Sequence, residues 1–217
     1  MYNYNFTKEK MHKIMYLLED KNACFHEKTK AMSLMVKQKQ INNKVVLKYL
    51  NKYFENIDLK LLEDNNDIFY LLSTEKRNFI LNYLLKNEKV NNYIDKDYCL
   101  YFACQKNKIK NAESLLKAGA DISLDNFQAL KFILNNKNIE AFKFLLENKN
   151  YIKNKKEFVK CVFFSKWYIA INCMIEYNEW LNEIDNDILN NFKKEKLFNP
   201  VLKKIKLKQT KNKIEVF

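Results

Sequence analysis

Pairs of adjacent large apolar residues recur along the whole chain: Leu17-Leu18, Tyr49-Leu50, Leu84-Leu85, Leu115-Leu116, Leu145-Leu146 and Met174-Ile175. Successive pairs lie 32, 35, 31, 30 and 29 residues apart. Apolar residues stand three and four positions before each pair, as in Ile139-x-x-Phe142-x-x-Leu145-Leu146. That spacing is the stripe of an amphipathic helix. Phe69, Leu100, Leu130 and Val159 form a second set of anchors, each 15 residues before one of the last four pairs. The repeating unit predicted is two short antiparallel helices and a connector. A period near 30 residues over the chain predicts an all-α, or nearly all-α, helical solenoid.

Composition narrows the fold further. The chain has 217 residues with one Gly and one Pro. All-β sandwiches and barrels lean on those two residues for their turns, so they are excluded. A Gly-rich phosphate loop needs a second glycine that does not exist here. Gly and Pro are also the residues that cost a helix most, so their scarcity agrees with the periodicity. The 31 Asn and the near-replacement of Arg by Lys, with Arg77 the only arginine, match what an AT-rich coding sequence gives.

The clearest unit reads YCLYFACQKNKIKNAESLLKAGADIS, from Tyr98 to Ser123. It resembles an ankyrin repeat, and aligns without a gap to the family pattern TPLHLAARNGHLEVVKLLLEAGADVN. Leu100 takes the Leu of TPLH, Ala103-Cys104 the small pair between the helices, and Leu115-Leu116-x-x-Gly119-Ala120-Asp121-Ile122 the end of the unit. The units anchored by Phe69, Leu130 and Val159 follow in register. The resemblance implies about five to six degenerate repeats over 26–180, an N-terminal cap over 1–25, a C-terminal cap over 181–192, and a basic helix or tail over 193–217. Gly119 is expected to cap its second helix in a left-handed conformation, with Asn178 in the equivalent place later. No unit carries Thr-Pro, and the steps are shorter than the family's own, so plain short loops are expected in place of projecting hairpins.

Function, on this resemblance, is protein–protein recognition through the concave face of the stack. By register the residues facing a partner are Asp97, Gln105, Lys106, Phe127, Asn135, Asn136, Lys156, Phe164 and Ser165. Phe127 and Phe164 are expected as exposed aromatic hot spots, against the alternative that a rotated repeat buries both rings. Trp167 and Trp180 are read as core or capping residues.

Charge supplies the rival reading. The formal net charge is +13, and residues 192–217 carry nine Lys against two Glu, more than half of the excess. Lys203, Lys204, Lys206 and Lys208 form the densest run. They suit an anionic partner such as nucleic acid, although terminal Lys runs are also ordinary solvated tails. The five Cys form no CxxC pair and both His lie in the first 26 residues, so neither a metal site nor a cofactor is expected. The acidic clusters Glu63-Asp64 with Asp67, and Glu183, Asp185 and Asp187, read as connectors or helix caps rather than catalytic pairs. No enzymatic activity is expected. No segment approaches 18 apolar residues and no secretory leader is evident, so a monomeric cytoplasmic protein is expected.

Overall fold

A computed structural model describes residues 8–62, 66–193 and 198–214, without the side chains of 178 and 211–214. Among these residues there are fourteen α-helices and no strand. The chain divides into two compact units, Met1–Ala120 and Asp121–Phe217. Unit 1 holds α1 (Lys8–Glu19), α2 (Phe25–Lys37), α3 (Asn43–Glu55), α4 (Asp67–Thr74), α5 (Asn78–Lys86), α6 (Glu88–Asn91), α7 (Lys96–Gln105) and α8 (Ile109–Lys117). Unit 2 holds α9 (Leu124–Asn135), α10 (Ile139–Glu147), α11 (Lys155–Phe164), α12 (Tyr168–Glu176), α13 (Asn186–Phe192) and α14 (Asn199–Ile214).

Helices pair in sequence, and the pairs then pack in two rows. In unit 1, α2, α4 and α7 touch in succession, and so do α3, α5 and α8; α1 lies against α2 and α3. In unit 2, α9 packs on α11 and α10 on α12, and a 3-10 turn at Asn178–Glu183 touches α11, α12 and α14. The apolar doublets explain the rows. Each falls near the end of α1, α5, α8, α10 or α12, or in the middle of α3, and every doublet residue except Leu17 is buried. The four anchors Phe69, Leu100, Leu130 and Val159 are each fully buried on a first helix.

The turn from first to second helix follows one design three times. Asn107, Lys137 and Lys166 have φ of 52°, 52° and 53°, the left-handed region that non-glycine residues enter at a cost. At the first of them Asn107 N donates to Cys104 O (3.1 Å) and Lys108 N to Ala103 O (2.8 Å), closing the carbonyls at the end of α7. Gly119 (φ 95°) does the same for α8, with Ala120 N donating to Leu115 O at 3.0 Å. Asn178 does not repeat it: α12 ends at Tyr177 with extended backbone (φ −88°, ψ 99°), and Asn178 opens the 3-10 turn. No glycine-like cap is needed there, because the following turn continues the path.

The first helices α2 and α4 end differently, with extended residues at Gln38 and Glu75. Their carbonyls are closed from the next hairpin. Arg77, buried in the turn before α5, donates from Nε to Val36 O (2.7 Å), from Nη2 to Gln38 O (2.5 Å), and from Nη1 to Asn43 Oδ1 (2.5 Å). Asn111 on α8 donates from Nδ2 to Leu72 O, Ser73 O and Glu75 O at 3.1, 2.7 and 2.9 Å.

Unit 2 is tied together by rings. Phe158 packs on Phe127, Phe142 and Trp180 with centroids 6.2, 6.3 and 4.9 Å away, and Trp167 lies 6.1 Å from Phe142. Both tryptophans are buried, at 8% and 1% exposure. The basic segment is not a free tail over its described part. Val201, Leu202 and Ile205 of α14 are buried, Gln209 Nε2 donates to Leu181 O at 3.1 Å, and Lys204 and Lys208 both reach Glu176. Those two ammonium groups hold the Glu176 carboxyl below the usual carboxylate range. The acids at 63 and 64, the lysines at 194 and 196, and the first seven residues lie outside the described residues.

Candidate functional site

The exposed side of each first-helix row carries an open groove. In unit 2 the groove holds ≈ 330 Å³ between α9 and α11, and brings together Asn135, Phe164 and Ser165 with Lys131, Glu157 and Cys161. Phe164 is the last residue of α11 and is 61% exposed. Its ring rests one side on Phe192, 6.0 Å away, which fixes its direction without covering it. Ser165 follows as the C-cap, and its hydroxyl donates to Val162 O at 2.6 Å. Burial pushes the Cys161 thiol up, so it stays protonated at neutral pH and is no ready nucleophile.

Phe127 departs from expectation. It is 2% exposed, so its ring is not on the surface. Its register equivalents, Asp97 and Lys156, sit in the first turns of α7 and α11 and are half-buried and exposed. Asp95 and Asn154 cap those helices by accepting from the backbone N of Tyr98 and Glu157 at 3.1 Å each. The first turn of α9 is instead left-handed at Asp125, Asn126 and Phe127 (φ 47°, 57° and 61°). Asp and Asn tolerate that conformation better than most residues, and the turn carries the Phe127 ring inward onto Phe158. Burying a phenylalanine gains about 1.5–3 kcal/mol, which offsets part of the cost of about 1–2 kcal/mol at each left-handed residue.

The other expected residues do not line this groove. Asn136 is exposed in the turn after α9, its Nδ2 donating to Phe132 O at 2.9 Å. Lys156 is exposed, but pairs at 2.6 Å with Asp185, the N-cap of α13, whose carboxyl its ammonium holds low. Asp97, Gln105 and Lys106 belong to α7 and its C-cap in unit 1, the first two half-buried and the third exposed.

Unit 1 has its own groove of ≈ 440 Å³ over α2, α4 and α7. Its walls include His26, Lys30, Ser33 and Lys37 of α2, Tyr70 and Leu71 of α4, and Phe102 of α7. None of these was singled out by register, although the stripe at 26, 30, 33 and 37 is readable as one helix face. Tyr70 and Phe102 rings lie 5.1 Å apart, and Tyr70 OH donates to Asp95 Oδ2 at 3.3 Å. Burial, then the Asp95 carboxylate, pushes the Tyr70 phenol well up, so it remains a neutral donor.

Among the described residues no group of three or more His, Cys, Asp or Glu is placed to hold a metal ion, and no helix is long and apolar enough to cross a membrane. Cys99 and Cys104 are buried thiols, the second pushed up to about 12 by burial, whereas Cys24 is exposed at the start of α2. No protein-family model, no curated protein and no solved structure matches the chain.

Proposed function

We propose that the chain is a non-enzymatic recognition scaffold of ankyrin-like helix hairpins, which binds another protein through the exposed face of its first helices. The observation that carries this reading is Phe164: a phenylalanine 61% exposed, held on a helix end beside Asn135 and Ser165 in an open groove. A rigid aromatic ringed by polar groups is the anatomy of a binding hot spot. The in-register unit Tyr98–Ser123, built as α7 and α8 with the Gly119 cap, supports the ankyrin-like reading of the hairpins. Burial keeps the groove's Cys161 thiol protonated.

The rival reading, nucleic-acid binding through the basic segment, is weakened because Lys204 and Lys208 are engaged by Glu176. Lys203 and Lys206 remain exposed on α14 and keep it testable. The test is capture of partners by the full chain from the cells that make it. Phe164→Ala should reduce capture at least tenfold at about 0.15 M salt, whereas Lys203→Glu with Lys206→Glu should leave it. Capture that survives Phe164→Ala, falls with the lysine pair and drops steeply with added salt would overturn the reading in favour of nucleic acid.

A further inference from the structure

The groove of unit 1 differs from that of unit 2 in charge. His26, Lys30, Ser33 and Lys37 follow the i, i+4, i+7, i+11 spacing and form one wall, running about 16 Å along α2 at 1.5 Å per residue. Lys30 and Lys37 are exposed, and neither makes an ion pair or a hydrogen bond among the described residues. That sets them apart from Lys52, Lys117, Lys153, Lys156 and Lys160, each of which has an acidic partner. The acid of α2, Glu27, turns instead to the start of its own helix, accepting from Cys24 N at 2.9 Å. Opposite the basic wall, Tyr70, Leu71 and Phe102 are half-buried and give the groove an apolar floor. Thr74 completes that side, and its hydroxyl is already committed to Leu71 O at 2.9 Å.

We propose that this groove docks an acidic peptide segment of the partner protein, its carboxylates along Lys30 and Lys37 and one aromatic or aliphatic side chain on the Tyr70–Leu71–Phe102 floor. The proposal rests on the protein-recognition reading above and names the chemistry of what is recognised. An extended peptide advances about 3.3 Å per residue, so the wall spans about five residues. That is enough for two or three carboxylates on alternate positions and one anchor between them. A peptide suits the groove better than a nucleic acid does. No arginine lines the site to bind phosphate or guanine bidentately. The Tyr70 and Phe102 rings also lean on each other with planes 45° apart, so they offer no open face on which successive bases stack. The overall positive charge draws an acidic segment in, and the pair of unpaired lysines fixes where it settles.

The test is a fluorescence-anisotropy titration of the full chain with a labelled short peptide of Asp and Glu around a single Phe. A peptide with Lys in place of each acid and an oligothymidine of equal charge serve as comparisons. The acidic peptide is expected to bind, and to bind at least tenfold more weakly to Lys30→Glu with Lys37→Glu. The basic peptide should not bind, and replacing the central Phe by Gly should weaken binding severalfold. Both lysines are exposed, so the double variant should keep its circular dichroism and melting temperature; Lys30→Gln with Lys37→Gln replaces it if it does not. Equal binding to wild type and charge-reversed protein overturns the proposal, as does no binding of the acidic peptide. Tighter binding of oligothymidine through the same lysines overturns it as well. The two readings fail separately. Loss of cellular capture with Phe164→Ala, with acidic-peptide binding absent, sinks only the acidic-segment proposal. Peptide binding that needs Lys30 and Lys37, with capture indifferent to Phe164, sinks only the groove of unit 2.

Discussion

Helices α2 and α4 in unit 1 and helices α9 and α11 in unit 2 hold the same place in their hairpins, yet they end in opposite ways. The end of α11 closes on itself: Lys166, left-handed, donates to Phe163 O at 3.0 Å, and Ser165 N reaches Cys161 O. At α9, Lys137 and Asn138 close Leu134 O and Ile133 O. Helices α2 and α4 stop in extended residues and leave carbonyls open, and the following hairpin supplies the donors through Arg77 and Asn111. The last carbonyls of a helix must find partners somewhere when they are buried. A left-handed residue finds them locally, and an extended one transfers the task to a neighbour. The choice then sets what the turn of the next hairpin is free to be. Where the preceding helix has closed itself, the position of Arg77 is filled in α12's turn by Trp167, which contributes a ring on Phe142.

The contrast breaks most visibly at Arg77. Arg77→Ala removes the guanidinium from Val36 O, Gln38 O and Asn43 Oδ1 and leaves buried acceptors unmatched, so unit 1 should lose about 3–5 kcal/mol. The unfolding midpoint in urea reads this, and hydrogen exchange should show the loss at the end of α2 rather than in unit 2. Asn111→Ala should cost less, about 2 kcal/mol, because the lost groups are neutral, with faster exchange confined to the end of α4 and its turn. The smallest effect has the opposite sign. Lys166→Gly removes the left-handed penalty and keeps the backbone donor to Phe163 O, and should stabilise unit 2 by about 0.5–1 kcal/mol, read as a rise in melting temperature. A Lys166→Gly protein less stable than wild type would show that the self-closed end depends on the side chain and not on the backbone turn.

These ends mark where sequence reasoning reaches its limit. The rows were legible because their signal is repeated: Leu84-Leu85, Leu115-Leu116 and Leu145-Leu146 announce the second helices, and Phe69, Leu100 and Leu130 the first. Gly119 was legible because only glycine enters its backbone region at no steric cost. Arg77 was readable only as a composition oddity, since its partners lie 34 to 41 positions away and leave no local pattern. Phe127 misled because register assumes that equivalent positions share a backbone, and a large ring beside an Asp-Asn pair was able to change it. Register named Asn135, Phe164 and Ser165 of the groove between α9 and α11, whereas the basic wall of α2 lies in the hairpin of α2 and α3, whose one repeat signal is the doublet Tyr49-Leu50. The lysines of α14 were visible as charge, but their pairing with Glu176 needed the fold.

The turn at Asn107 also bears on how the protein ages. Asparagine deamidates when the backbone nitrogen of the next residue attacks its side-chain carbonyl, and an unhindered glycine in that next place makes the ring closure fastest. Ala118, not asparagine, precedes the chain's one glycine, so none of its 31 asparagines stands in that sequence. At Asn107 the neighbour is Lys108, and its nitrogen is already committed as the donor to Ala103 O at 2.8 Å. The hydrogen bond that ends α7 therefore also withholds the nucleophile, and an asparagine-rich chain keeps its turn chemically intact for as long as that helix end stays closed.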